Sequence, residues 1–389
     1  MTTVAEVDYL LMSLIPPARV ECVPLVDSAR RCLAQAVVAD RDGPPYARVA
    51  MDGWAVRGEV GPWTKVGRQP AGAAPLTLTA PDHCIEVATG AVLPEGADRV
   101  LPYEDAQTED SVVRAAAQVK LPPGRHVHAQ GHDYRRGQVL INEGVVLKAP
   151  HFHTLATVGL DKVPVRHRLS WALAATGDEL VEVSQTPLPW QIRRSNAAAI
   201  AAEAQQWGLG PKQEVILADE ITTMTARLAA LIADVEVLVL TGGVSAGMYD
   251  LVPRVMESLG AKTIIRRVAQ RPGKPLWVGT WDKGQGPTIA FGLPGNPVSS
   301  LFAFRRYVLP WLLAAEGQTL EVPRVFVDGL EPIKSDQTLF LPWSRRRGVL
   351  DWRGSGDFLA LGESDGFLEI CSEERSWSEP KVYLWGGAS

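Results

Sequence analysis

The stretch VEVLVLTGGVSAG, residues 235–247, reads as a buried strand running into a glycine-rich loop. Val235 to Leu240 is a short run, apolar except for Glu236, of the kind covered on both faces rather than alternating toward solvent. Thr241-Gly242-Gly243-Val244-Ser245-Ala246-Gly247 follows at once. Its adjacent glycines free the backbone to aim N–H groups at an anion, with the Ser245 hydroxyl and the start of a helix beside them. The loop is no Walker A motif, because no Gly-Lys-Ser/Thr follows, and no G-x-G-x-x-G suggests a dinucleotide fold.

Working outward, residues 168–316 alternate apolar strand-length runs with helix-length amphipathic ones. The expected strands are Leu169 to Ala175, Glu214 to Ala218, Val235 to Leu240, Thr263 to Val268, Leu276 to Thr280 and Thr288 to Phe291. The expected helices are Ala197 to Trp207, Ile221 to Ala233, Leu251 to Leu259 and Pro297 to Leu313. This alternation predicts an α/β domain with a mostly parallel sheet between helices. Residues 41–136 have a different texture, short runs broken by Gly and Pro, and read as a β-rich domain; residues 317–389 read as a small C-terminal β domain. Val4, Val7, Leu10, Leu11 and Leu14 recur at helical spacing until Pro16-Pro17 stops them.

The chain has 389 residues, 46% of them hydrophobic, enough for two or three globular domains. Its 39 basic and 44 acidic residues give a net charge of -5 without a long run of either sign, which argues against a nucleic-acid or membrane partner. Glu6 and Asp8 stand where a secretory signal would be basic, and no run of 18 apolar residues occurs, so a cytoplasmic protein is expected. The 4 cysteines, Cys22, Cys32, Cys84 and Cys371, have no C-x-x-C spacing and read as free thiols.

In an open α/β sheet, ligands bind beyond the carboxyl ends of strands. Those ends are acidic here: Thr176-Gly177-Asp178-Glu179 after the first, Asp219-Glu220 after the second, and Asp250 beyond the third. Such oxygen donors suit Mg2+, although any one of them also suits a helix N-terminus. Arg271-Pro272-Gly273-Lys274-Pro275 forms a tight turn with two cations, and Leu293-Pro294-Gly295-Asn296-Pro297 ends the last strand, with Asn296 as an N-cap and Pro297 at the first helical position. Gly243-Val244-Ser245-Ala246-Gly247 matches a serine-hydrolase elbow, but all 7 histidines precede Ser245, whereas that fold needs one after it. His126, His128, His132 and Asp133 lack metal-motif spacing and read as a polar loop.

Taken together, several strings resemble the molybdopterin molybdenumtransferases, the family of MoeA and the gephyrin E domain. They are AMDGWAVR at 50–57, Thr89-Gly90-Ala91 with LPEGAD at 93–98, Thr176-Gly177-Asp178-Glu179-Leu180, Gly242-Gly243-Val244-Ser245 with Asp250, Pro272-Gly273-Lys274-Pro275, and GLPGNPVS at 292–299. They occur in order over roughly residues 40 to 310. The family usually carries Lys at Arg271, Tyr at Trp54 and an acid at His132.

The resemblance implies a multidomain α/β plus β homodimer. Its linker domain would comprise residues 1–40 and 137–167, its β-rich domain 41–136, its central domain of the pterin-adenylyltransferase (MogA-like) type 168–316, and its C-terminal β domain 317–389. It implies molybdopterin-AMP and molybdate as substrates, Mg2+ as cofactor, and release of AMP with the molybdenum cofactor. A pterin adenylyltransferase would act upstream, and molybdoenzyme apo-proteins or chaperones downstream. Catalytic positions fall on Asp52, Thr89, Glu179, Asp219, Asp250 and Lys274, with Glu179, Asp219 and Asp250 around the metal. Substrate-binding positions fall on Asp133, Gly242, Gly243, Ser245, Arg271, Pro294, Asn296, Pro297, Ser299 and Ser355. A pterin-binding scaffold, an adenylyltransferase and a tungstate-using enzyme are the alternatives.

Overall fold

Side chains alternate along the buried strands and sort themselves into two layers. Trp171, Leu173, Val237, Val239, Ile289 and Phe291 join one hydrophobic cluster, while Ala172, Ala174, Leu238, Leu240 and Ala290 join the other. A sheet buried this way needs helices on both faces. In the computed structural model, which describes residues 1–244, 251–282, 287–327, 335–371 and 379–386, both faces are covered. The chain divides into two units, one of Met1–Val23, Ser28–Ala34 and Pro164–Ser389, the other of Pro24–Asp27 and Gln35–Val163.

In the first unit, helix α1 (Val4–Ser13) opens with a capping box: Thr3 Oγ1 accepts from the Glu6 amide, and the Glu6 carboxylate accepts from the Thr3 amide. The central elements are β1 (Trp171–Thr176), α2 (Ser195–Gln206), β2 (Gln213–Leu217), α3 (Ile221–Asp234), β3 (Val237–Thr241), α4 (Leu251–Ser258), β4 (Lys262–Arg267), β5 (Pro275–Asp282) and β6 (Pro287–Leu293). The six strands order as β2-β1-β3-β6-β5-β4. Helices α1 and α2 pack on one face through Val4, Val7, Leu11, Ala197 and Ile200. Helices α3 and α4 pack on the other through Met224, Leu228, Val252 and Val255.

The expected α/β domain is present, with one qualification to its parallel sheet. β2, β1, β3 and β6 run parallel, whereas β5 runs antiparallel to both its neighbours, β6 and β4, so that β5 alone is reversed in the sheet. The connections flanking β5 fall well short of the dozen or so residues that a parallel crossover requires. The expected single helix from Pro297 to Leu313 is also interrupted. It runs as α5 (Pro297–Ala303), a π turn over Phe304–Val308, and α6 (Leu309–Ala315). Pro310 has no N–H to donate and its ring clashes with the carbonyl four residues back, so a regular α-helix cannot pass there unchanged. The Leu309 amide instead reaches five residues back, to Phe304 O.

A five-stranded sheet follows. Gln270–Arg271, from the central part of the chain, pairs with β7 (Thr338–Ser344), which pairs with β8 (Gly366–Ile370) and Gly348–Val349, and β8 pairs with β9 (Lys381–Leu384).

The second unit is built on a six-stranded sheet in the order Arg99–Pro102, Gly53–Val56, His83–Val87, Trp63–Gln69, Val112–Ala115, Ala106–Glu109. Trp54, Trp63, Cys84 and Leu101 fill one side of it, and Ala55, Ile85, Val87 and Val100 the other. Gly53 is required by close approach, since a Cβ there would lie 2.1 Å from Leu101 O. No disulfide joins any of the 4 cysteines, and among the described residues no helix is long and apolar enough to cross a membrane.

Arg306 in the π turn is buried and bonded to two carboxylates: Asp8 of α1 at 2.7 and 2.8 Å, and Glu369 of β8. Burial pushes the Glu369 carboxyl up, but the Arg306 charge and its hydrogen bond outweigh this and hold it below the usual carboxylate value. Its stabilisation is therefore present at neutral pH and is lost as pH falls through the lowered value. Glu369→Ala, which removes the buried partner and leaves the guanidinium only the part-exposed Asp8, should destabilise the fold by about 3 kcal/mol in urea unfolding. Asp8→Ala, removing a 43% exposed partner, should cost about 1 kcal/mol, and equal losses would contradict this ranking.

Candidate active site

The carboxyl ends of β1, β2, β3 and β6 meet along one edge of the central sheet. The strand order reverses between β1 and β3, and such a switch point opens a crevice. Gly242 and Gly243 form its floor with φ of 90° and 63°. A Cβ on Gly242 would lie 2.7 Å from Thr176 O, so the close approach of the two strand ends requires glycine. Thr176 Oγ1 beneath them is buried and, among the described residues, has no hydrogen-bond partner. Above the floor opens a cleft of about 1420 Å³, walled by the central sheet edge and by the C-terminal segment around Arg353 and Ser355.

Glu179 and Asp219 line this cleft and are both exposed to it. The Glu179 carboxylate folds over Gly177, where a Cβ would fall 2.5 Å from its Oε2. Asp178 ties the two strand ends together by accepting the Asp219 amide at 2.9 Å. Glu220, next to Asp219, caps α3 instead: it accepts from the Thr222 and Thr223 amides, and the bonds from Thr223 and Thr222 pull its carboxyl down to about 2.

Lys274 and Arg271 line the same cleft. Because β5 runs antiparallel to β6, with Trp277 opposite Gly292, its amino end lies at the carboxyl edge of the parallel strands. That reversal brings the cationic turn to the carboxylates. Among the described residues, neither cation makes an ion pair. Arg194, also on the cleft wall, is committed to Glu182 at 2.7 Å and Glu214 at 2.9 Å.

Pro294, Asn296, Pro297 and Ser299 form a further wall. Asn296 occupies the N-cap position of α5, but its side chain makes no capping bond, contrary to expectation. It donates to Ser355 Oγ at 2.8 Å, and the Val298 amide is taken by Ser355 O at 3.1 Å. Ser355 thus closes the helix end. Asn196 Nδ2 fixes the neighbouring Gly295 carbonyl at 2.6 Å.

The structure therefore brings together Glu179, Asp219, Gly242, Gly243, Arg271, Lys274, Pro294, Asn296, Pro297, Ser299 and Ser355. Ser245 and Asp250 lie outside the described residues. Asp52, Thr89 and Asp133 belong to the second unit. There Asp52 Oδ1 accepts the Thr89 amide at 2.6 Å, a bond that holds the Asp52 carboxyl below its usual value. Asp133 is exposed and meets His132 Nδ1 at 3.1 Å, and the His132 ring stacks on His128. Trp54 packs edge-on to Tyr103 with Lys65 over its ring, and its indole N–H is buried without a partner among the described residues. Gln270, which also lines the cleft, carries no signal in the sequence pattern that marks it as a site residue.

Residues 2–159 match the family model for the MoeA N-terminal region (domain I and II), and residues 172–314 match that for a probable molybdopterin binding domain. A Synechocystis protein named molybdopterin molybdenumtransferase is 33% identical over 376 residues, covering 91% of this chain and 92% of that protein. A Bacillus subtilis protein of the same name is 32% identical over 308 residues, covering 75% and 71%. The crystal structure of a molybdopterin biosynthesis MoeA protein from Pyrococcus horikosii superposes with a TM-score of 0.79 at 27% identity, covering 99% of each chain. The chain belongs to the MoeA family of molybdopterin molybdenumtransferases.

Proposed function

We propose that this chain inserts molybdenum into molybdopterin, taking molybdopterin-AMP and molybdate and releasing AMP with the finished cofactor. The observation that carries the reading is one cleft with two carboxylates on one wall, two cations without ion pairs among the described residues on another, and a glycine floor at the switch point. Arg271 and Lys274 hold the tetrahedral dianion by charge and hydrogen bonds. Gly242 and Gly243 give the phosphate a close backbone approach. Membership of the family supports the substrates named.

The residues fit a hard divalent cation. The Glu179 carboxylate fills the space over Gly177, Asp219 lines the same wall, and Mg2+ takes one or two carboxylates with water and phosphate oxygens completing its shell. When bound, the ion supplies Lewis-acid neutralisation of the scissile phosphate. Asp250 is proposed as a further ligand from its position in the sequence alone. The proposal extends to the four-domain division given above, a cytoplasmic homodimer, an adenylyltransferase upstream and apo-molybdoenzymes or chaperones downstream.

Purified protein given molybdopterin-AMP, Mg2+ and molybdate should release AMP and reconstitute an apo-molybdoenzyme; failure of both in a folded protein would overturn the reading. Glu179→Gln should slow molybdate-dependent AMP release roughly 100-fold or more, since several kcal/mol of charge stabilisation depends on that site. Lys274→Ala should instead raise the half-saturating molybdate concentration by roughly 10- to 100-fold, as expected for one charged hydrogen bond. If Lys274→Ala left molybdate saturation unchanged, that residue would leave the oxyanion site.

A further inference from the structure

Gln270 is a buried polar residue that the surrounding apolar pattern does not require. It is 1% exposed and lies in the short strand Gln270–Arg271, at the start of the turn that carries both cations of the cleft. The turn is closed at its base by the Val268 amide, which donates to Lys274 O at 3.0 Å. Its interior is filled by the Gln270 side chain. Nε2 donates to Gly273 O at 2.9 Å and reaches Pro272 O at 3.4 Å, while Oε1 accepts the hydroxyl proton of Tyr307. Gly273 fits because it has φ of 85° and no side chain: a Cβ there would lie 3.0 Å from Gln270 Nε2.

The orientation of this amide is determined. Carbonyls only accept, so the nitrogen must face Pro272 and Gly273, and the oxygen must then find a donor. Tyr307 is that donor; it is itself 1% exposed, and burial pushes its phenol far up, so it keeps its proton. Tyr307 sits in the π turn that accommodates Pro310, where the helix is widened locally. A helix irregularity is thereby linked, through two buried side chains, to the turn bearing Arg271 and Lys274.

We propose that Gln270 and Tyr307 are positioning residues for the oxyanion: Tyr307 fixes the Gln270 amide, and the amide holds the 271–274 turn in the shape that presents two cations to a tetrahedral dianion. The inference rests on the molybdate reading above and adds to it the residues that set oxyanion affinity without touching the ligand. Removing the phenol hydroxyl leaves a buried Oε1 unsatisfied, which favours a rotated amide and a loosened turn.

The test uses the full chain with Tyr307→Phe and Gln270→Met, compared by thermal unfolding, molybdate saturation of AMP release, affinity for molybdopterin-AMP, and hydrogen exchange at the Val268 amide, whose bond to Lys274 O closes the turn. Tyr307→Phe should raise the half-saturating molybdate concentration roughly five- to tenfold, the effect of about one hydrogen bond, while molybdopterin-AMP affinity stays within about twofold. Exchange at the Val268 amide should quicken in both variants. A purely structural role would weaken both substrates alike, and that outcome, or unchanged exchange in Tyr307→Phe, overturns the proposal. If Gln270→Met does not fold, Tyr307→Phe decides alone. If the wild-type chain neither takes molybdate nor releases AMP, the functional reading fails, and the exchange rates alone decide whether the pair braces the turn.

Discussion

Antiparallel pairing of β5 against β6 is the constraint on which the cleft depends. Four parallel strands deliver Glu179, Asp219 and the Gly242-Gly243 floor to one edge, as any open α/β sheet would. A fifth parallel strand would carry the Arg271–Lys274 turn to the opposite edge. At about 3.3 Å per residue, an eight-residue strand would put it roughly 25 Å away. The observed register, with Trp277 facing Gly292, keeps it beside the carboxylates. Gly292 leaves room for what packs on it there: a Cβ would fall 2.6 Å from Val244 Cγ1, on the chain just past the glycine floor, and 3.3 Å from Trp277 Cβ.

The charged groups around the cleft divide by role. Arg194 is neutralised by Glu182 and Glu214, Glu220 caps a helix, and Asp178 accepts a backbone amide; each stabilises the rim. Arg271 and Lys274 make no ion pair among the described residues. A cation left unpaired at a cleft wall contributes little to folding and is available to an anion. The same economy holds at the α5 N-terminus, where Ser355 takes the Val298 amide and the Asn296 side chain, so the C-terminal segment shapes that wall directly.

Much of this was legible in the sequence, because strand ends, paired glycines and a Pro-Gly turn are local signals. The layered α/β unit followed from apolar runs alternating with amphipathic ones, and Glu179, Asp219 and Lys274 from their places beside those runs. The direction of β5 was not read, although the short connections around it already excluded a crossover. Asp219 and Glu220 are adjacent acids with different duties, and only the hydrogen bonds to Thr222 and Thr223 tell them apart. Asn296 has the residue type of an N-cap, but a residue 59 positions away, Ser355, takes its side chain. Gln270 and Tyr307 are 37 residues apart, and a single buried amide meeting a single phenol leaves no periodic trace. Pro310 lies inside the helix expected from Pro297 to Leu313 and was not read as an interruption, although its missing N–H already required one.

The central claim is that a tetrahedral dianion lies on the Arg271–Lys274 wall of the cleft, across the glycine floor from Glu179 and Asp219. The most direct measurement is anomalous diffraction at the molybdenum absorption edge from crystals of this chain grown with molybdate. The account predicts a peak within hydrogen-bonding reach of Lys274. A well-occupied peak elsewhere on the protein, with that wall empty, would contradict it.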